Sequence, residues 1–322
     1  MPASSPNPCG PALASWSGRH LPGPGRVAVA YSAGADSTAL LLAAHERWPG
    51  QVHAIHIHHG LQAAADGFER LAREVCERQG IALTVVRVDA RAASGQSPED
   101  AARRSRYRAL AQAALELQAD AVLLGQHADD QAETVLLALS RGAGLPGLAG
   151  MAERFERDGA VFGRPLLALA SQTLRDWLVS EALPFVDDPS NADPRFTRNR
   201  IRQVLSPAWQ AGFPGYREAL ARSARHAAQA QALLEELAAA DLALTGEPPA
   251  IVALQSLSRP RQANALRQWL RRCAGHAPSE VQLDELLDQI AACRTRGHRL
   301  RLRVTSGTVL RDGERLRYEP PI

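Results

Sequence analysis

Between Val27 and Ala44 the chain reads VAVAYSAGADSTALLLAA. An apolar run stops at Ser32, passes through Ala33, Gly34, Ala35 and Asp36, and resumes with helical spacing at Thr38. A strand, a short turn of small residues and a helix together make an anion cradle. Free N–H groups at the helix N-terminus point at the ligand, and the helix dipole favours negative charge there. Ser32, Ser37 and Thr38 add hydroxyl donors. Asp36 would repel a bare phosphate, but its place makes sense if a Mg²⁺ ion is shared between carboxylate and phosphate. The same turn also fits an ordinary helix start capped by Asp or Ser.

The chain contains no lysine, so all 37 of its basic residues are arginine. That excludes a Walker-type phosphate lysine, a Schiff-base lysine and a lysine general base. The turn is also too short for a Walker loop and lacks the GxGxxG dinucleotide spacing.

Other residues could join this chemistry. His127, Asp130 and Glu133 stand on one side of a helix start, with Asp130 and Glu133 three apart on one face. Asp130 is the first candidate for a metal ligand or a base, and Asp129 is a lesser one. Their structural alternative is acids answering the helix dipole. Arg103 and Arg106, also three apart, could reach phosphate or form a solvated helix face. His53, His56, His58 and His59 suggest a metal cluster, but strand alternation puts His56 and His58 on one face and the other two opposite. Two arginine runs lack acids: Arg195, Arg198, Arg200 and Arg202, then Arg294, Arg296, Arg299, Arg301 and Arg303. Such runs suit a phosphate backbone and equally a solvated surface.

The 322 residues suffice for two domains, and 45% hydrophobic with 22% charged residues is ordinary for a soluble globular protein. No apolar run reaches the roughly 18 residues of a membrane span. The N-terminus is rich in Pro, Gly and Ser and reads as a flexible leader over 1–24, without the pattern of a secretory signal. Cys9, Cys76, Cys273 and Cys293 form no CxxC pair, so neither a zinc site nor a disulfide framework is suggested and a cytoplasmic setting is expected. The net charge of +3 is weak as a global signal.

Strands are expected at 26–31, 52–59, 82–89 and 120–126, with short ones at 161–167 and 183–188. Helices should run from the turn to about Trp48, over 66–79, from Ser97 to about Gln118, from near Asp129, and over 171–182. This alternation predicts an α/β fold with a doubly wound parallel sheet over 25–210. Ligands in such folds sit at the carboxyl ends of the strands, where Ser32–Ser37, His56–Gly60 and Gly125–Asp130 all fall. The texture changes after Pro207, where AWQAGFPGYREAL reads as containing a linker. Helices are then expected at 219–244, 256–274 and 279–293, with a terminal β-ribbon, as a smaller, mostly helical domain over 216–322.

YSAGADS resembles the SGGxDS pyrophosphate loop of the N-type ATP pyrophosphatases, departing at Ala33, where the family usually has Gly. The loop tolerates Ala33 if its φ is negative or its methyl points away from the phosphates. AIHIHHGLQ (54–62), EDAARRSRYRAL (99–110), LLGQHADDQAETVLLALSRGAGLPGLAGM (123–151), RPLL (164–167) and DDPSNADPRFTRNRIR (187–202) resemble, in order, the motifs of the tRNA(Ile)-lysidine synthetases. The resemblance covers about 26–210. It implies that ATP adenylates carbon 2 of the wobble cytidine of a CAU-anticodon isoleucine tRNA and that free L-lysine then displaces AMP. Ser32, Ala33, Gly34, Ala35, Asp36 and Ser37 would bind ATP, with His56 at the strand end bordering the adenine. Asp36 and Asp130 would hold Mg²⁺. Arg103, Arg106 and His127 would serve catalysis beside them. Glu133, Asn191, Arg195, Arg198 and Arg202 would face tRNA or lysine. The segment LSRGAGLPGLAGM reads as a mobile loop over the site. Oligomeric state stays open, with a dimer allowed.

Three other readings compete. A tRNA thiolase of the same superfamily would need cysteines near the site, and only Cys76 falls in the catalytic region proper. A glutamine-fed amidotransferase would need an N-terminal nucleophilic Cys. A nucleotide-binding RNA module without catalysis is the reading that Ala33 would favour.

Overall fold

Within the segment expected as a flexible leader, residues 5–24 are described and carry a helix that joins the core. Helix α1 (Cys9–His20) buries Cys9, Leu13 and Trp16, each with at most 1% exposure. Asn7 Nδ2 donates to the Ala39 carbonyl at 2.9 Å, and the Trp16 indole donates to the Glu153 carbonyl at 2.9 Å. The Trp16 ring lies over Gly163, where an added Cβ would meet it at 2.2 Å. Prolines and glycines at both ends of the segment hide the i, i+4, i+7 spacing of those three apolar residues.

The structure is a computed structural model that describes residues 5–58, 64–88, 98–188, 193, 195, 197–295 and 298–321. After α1 come β1 (Val27–Ala30), α2 (Ala35–Arg47), β2 (Val52–His58), α3 (Ala64–Gln79), β3 (Ala82–Arg87), α4 (Pro98–Glu116), β4 (Ala121–Leu123) and α5 (Ala128–Ser140). A short α6 (Leu145–Leu148), the hairpin β5 (Arg154–Arg157) and β6 (Ala160–Gly163), and α7 (Ser171–Ser180) follow. The sheet order is β3-β2-β1-β4-β6-β5, parallel throughout except for β5 against β6. This is the expected doubly wound layout. Strand β1 is covered on both faces, which is why it reads as an unbroken apolar run. The strand expected at 183–188 is reduced to one parallel bridge, Gly34 with Val186. The hairpin strand β5 was not legible, because its charged, half-exposed sequence RFER looks like loop.

Strand order reverses between β1 and β4, so the loops after these two strands open into the crevice where such sheets bind ligands. Gly125, just beyond β4, lets them approach. A Cβ there would stand 3.1 Å from Ser37 N and 3.2 Å from the Asp36 carbonyl carbon. Beyond α7 the chain forms α8 (Thr197–Arg200), a π-helical turn (Ile201–Leu205), α9 (Ser206–Gly212) and α10 (Tyr216–Thr245).

Two compact units divide within α10, Met1–Arg225 and His226–Ile322. The second holds α11 (Ile251–Ser256), α12 (Arg259–Ala274), α13 (Glu280–Ala292) and three antiparallel strands, β7 (Arg301–Val304), β8 (Gly307–Asp312) and β9 (Arg315–Glu319). Its core joins Leu254, Leu266, Trp269, Leu286, Val304 and Leu316. Among the described residues, no helix is long and apolar enough to cross a membrane.

Candidate active site

The loop after β1 is held by its own hydroxyls. Ser32 N and Ser32 Oγ both donate to Ser37 Oγ, at 3.2 and 3.0 Å. Ser37 Oγ in turn donates to the Gly34 carbonyl at 3.0 Å, and Gly34 N donates to Ser32 Oγ at 3.3 Å. Thr38 Oγ1 donates to the same Gly34 carbonyl at 2.9 Å. Gly34 is the N-cap of α2, in extended conformation with φ −75°.

Ala33 has φ +63°, so the first condition for tolerating alanine fails. The left-handed backbone costs a residue with a Cβ about 1–2 kcal/mol. The second condition is met. Ala33 has no exposed surface and belongs to the main core cluster, so its methyl takes no room from the open side of the loop. Its carbonyl accepts from Val186 N at 2.9 Å, which pins the strained residue from behind.

Four charged side chains meet beside this loop. His127, the N-cap of α5, is 6% exposed. Its Nε2 lies 3.6 Å from Asp36 Oδ2 and 3.4 Å from Asp130 Oδ2, and its Nδ1 lies 3.5 Å from Asp129 Oδ2. Burial disfavours the imidazolium, but Asp130, Asp129 and Asp36 outweigh it and push the ring up to about 9. With both ring nitrogens protonated, Nδ1 donates towards Asp129, and the 3.5 Å approach of Asp130 N to it is no hydrogen bond. The other half of the cap remains, His127 N donating to Asp130 Oδ2 at 3.2 Å.

Each carboxylate has further support. The Ser171 hydroxyl donates to Asp36 Oδ1 at 2.8 Å, and Ser171 N donates to Asp129 Oδ2 at 3.0 Å. Arg217 Nε also donates to Asp129. Burial raises the Asp129 carboxyl, but His127, Ser171 N and Arg217 overcome that and hold it well below the usual carboxylate range.

One turn along α5, the almost wholly buried Glu133 is chelated by Arg202 Nε and Nη2 at 2.8 and 3.1 Å, and Arg202 also approaches Asp130 Oδ1 at 3.5 Å. Burial raises the Glu133 carboxyl, and Arg202 opposes that rise. Arg202 lies in the π-helical turn, an irregularity common at functional sites. Arg198 Nη2 donates to Thr134 Oγ1 at 3.3 Å. Arg106 is exposed, three positions beyond Arg103 on α4. Arg103 stands 5.7 Å over the Tyr107 ring, whose hydroxyl accepts from the buried Arg164 at 3.4 Å.

The remaining candidates lie apart from this group or outside it. His56 is buried, donates from Nδ1 to the Tyr31 carbonyl at 2.8 Å, and is held neutral by burial. Arg195 turns to Asp193 at 2.7 Å with its side chain 87% exposed. Asn191 lies outside the described residues. Sequence reasoning missed Ser171 and Arg217. Ser171 carried a weak signal as a polar residue at a helix start, whereas Arg217 gave none, since its contact with Asp129 spans 88 positions.

Asp36 and Asp130 are hard oxygen donors, and both are partly exposed. Among the described residues, no three His, Cys, Asp or Glu side chains form a ready metal cage. The donor set therefore suits a hard cation shared with phosphate oxygens and not one enclosed by protein.

Residues 17–209 match the PP-loop domain family, and residues 250–317 match the TilS substrate binding domain family. With the loop at the switch point of a parallel sheet, this defines an ATP-utilising ligase of the PP-loop class. Within it, the chain is 64% identical over 290 residues to the tRNA(Ile)-lysidine synthase of Polaromonas naphthalenivorans, covering 90% of this chain and 88% of that protein. It is 44% identical over 289 residues to the tRNA(Ile)-lysidine synthase of Burkholderia pseudomallei, covering 88% of this chain but only 59% of that longer protein. The chain belongs to the tRNA(Ile)-lysidine synthase family. A U34-tRNA thiolase from Methanococcus maripaludis shares the fold with a TM-score of 0.58 at 17% identity, over 68% of this chain and 77% of that one. At that identity the likeness concerns the fold alone.

Proposed function

We propose that this chain uses ATP to attach L-lysine to carbon 2 of the wobble cytidine in an isoleucine tRNA with a CAU anticodon. The cytosine O2 attacks the α-phosphate and pyrophosphate leaves. The lysine amine then attacks carbon 2, the C–O bond breaks, and AMP departs with that oxygen. The product, lysidine, shifts codon reading from AUG to AUA. The observation that carries this reading is the Asp36–His127–Asp130 group beside the Ser32–Ser37 loop, in a member of this family.

The loop serves the first step. The N–H groups at the start of α2 and the α2 dipole favour the pyrophosphate. Mg²⁺, if bound by Asp36 and Asp130, would neutralise charge on the phosphates. The His127 imidazolium holds those two carboxylates in place and adds positive charge where the phosphate becomes more anionic. The carboxylates around the ring raise it, which favours this positioning role over that of the base. Asp130 is the better candidate to receive the proton from the lysine ammonium, since Glu133 is committed to Arg202. Arg103, Arg106 and Arg198 suit the phosphates of the nucleotide or the tRNA. His56 keeps its strand end rigid at the adenine side.

A thiolase reading finds no support in Cys9 and Cys76, the cysteines of the first unit. Burial pushes Cys9 up to about 12 and Cys76 up to about 11, and both are buried in the core. The test is release of pyrophosphate from ATP by the purified chain with unmodified isoleucine tRNA. Release should require the tRNA, stop at about one equivalent per enzyme without lysine, and continue through further turnovers once lysine is added. No release while the tRNA still binds would leave a non-catalytic RNA-binding module.

A further inference from the structure

We propose that Phe213, backed by Trp209, is a stacking surface for an unpaired base of the RNA substrate, a reading that rests on the tRNA assignment above. The π-helical turn and α9 leave a large apolar surface open. Val204 is 66% exposed, Leu205 45% and Phe213 67%. A short segment ending in a bare aromatic ring needs a reason, because Phe is among the more buried residue types.

The ring is held in place. The Phe213 and Trp209 ring centroids are 6.0 Å apart with the planes tilted by 54°, and Trp209 stands 6.0 Å from the buried Tyr216. Phe213 N donates to the Trp209 carbonyl at 2.7 Å, and Tyr216 N donates to the Phe213 carbonyl at 2.9 Å. At the inner end of this aromatic file, the Arg217 guanidinium lies 4.8 Å over the Tyr216 ring and bonds Asp129 of the His127 group. The exposed ring is therefore joined to the candidate active site through three side chains, Trp209, Tyr216 and Arg217.

Charge decides what covers the ring. Of the arginines in this stretch, Arg195, Arg202 and Arg217 pair with Asp193, Glu133 and Asp129, whereas Arg198 and Arg200 do not meet a carboxylate among the described contacts. Arg198 and Arg200 bond the neutral hydroxyls of Thr134 and Thr197, at 3.3 and 3.1 Å, so their charge is not neutralised there. A second copy of this chain would bring the Arg198 and Arg200 charges against themselves. An RNA loop brings the opposite charge together with unstacked π-faces, and such bases stack on aromatic side chains. The anticodon loop that must present a cytidine to the site is a segment of that kind.

The test compares the binding of unmodified isoleucine tRNA by the full chain and by variants at Phe213. Phe213→Ala should weaken binding about tenfold, with the slope against salt unchanged, because stacking releases no counterions. Phe213→Trp should keep the affinity. Arg200→Gln should instead reduce the salt slope by about one. Unchanged affinity in Phe213→Ala, or full affinity in Phe213→Leu, would overturn stacking. A fall in sedimentation coefficient of the free Phe213→Ala protein would assign the ring to self-association and overturn it too. These are binding measurements. Wild-type protein that binds tRNA but releases no pyrophosphate would therefore defeat the catalytic reading without deciding this one.

Discussion

His127 sets the charge of the site. Its imidazole is held up to about 9, against an ordinary value of 6.5, by three carboxylates that outweigh its burial. A group raised on folding contributes stability that is fully present below pH 6.5 and is lost as pH rises through about 9. Melting temperature should therefore fall across that window, and His127→Gln should flatten the fall. An equally steep fall in the variant would place the titration elsewhere. Asp36 tests the chemistry: Asp36→Ala should abolish adenylation while leaving tRNA affinity nearly intact, as read by pyrophosphate release and by binding. Equal loss of both would make the turn structural. The types and spacing of Asp36, His127, Asp130 and Glu133 were legible from their positions at strand ends and a helix start. The left-handed φ of Ala33 was not, because alanine ordinarily avoids it and only the Val186 contact and the core around it hold it there. Nor were Ser171 and Arg217, which reach the cluster through tertiary contacts.

At the scale of elements, the site depends on how closely α2 approaches the end of β4. Gly125→Ala would put a methyl 3.1 Å from Ser37 N, so the backbone of the loop would have to move by a few tenths of an ångström. The KM for ATP should rise several-fold or more, with tRNA binding little changed. An unaltered KM would mean that the loop tolerates the shift. Helix α1 offers a second test. Trp16→Ala should destabilise the first unit by about 3–5 kcal/mol, the cost of emptying a large buried aromatic site. A change below about 0.5 kcal/mol in denaturant unfolding would return α1 to the status of a leader. The elements that could be read were those with clean periodicity, such as β1, β2 and α4. Helix α1, strand β5 and α9 were hidden by proline, glycine or charge within short segments whose burial is set by distant partners such as Gly163 and Glu153.

At the scale of the molecule, two compact units share one long helix, and the family matches assign the PP-loop domain to the first and a substrate binding domain to the second. In the proposed reaction ATP and lysine both act at one cytidine. Mass spectrometry of isoleucine tRNA after incubation with the purified chain tests this most directly. Conversion of the wobble cytidine to lysidine is expected only when ATP and L-lysine are both present, and not with the Asp36→Ala protein. An unmodified cytidine under full conditions, with tRNA demonstrably bound, would contradict it.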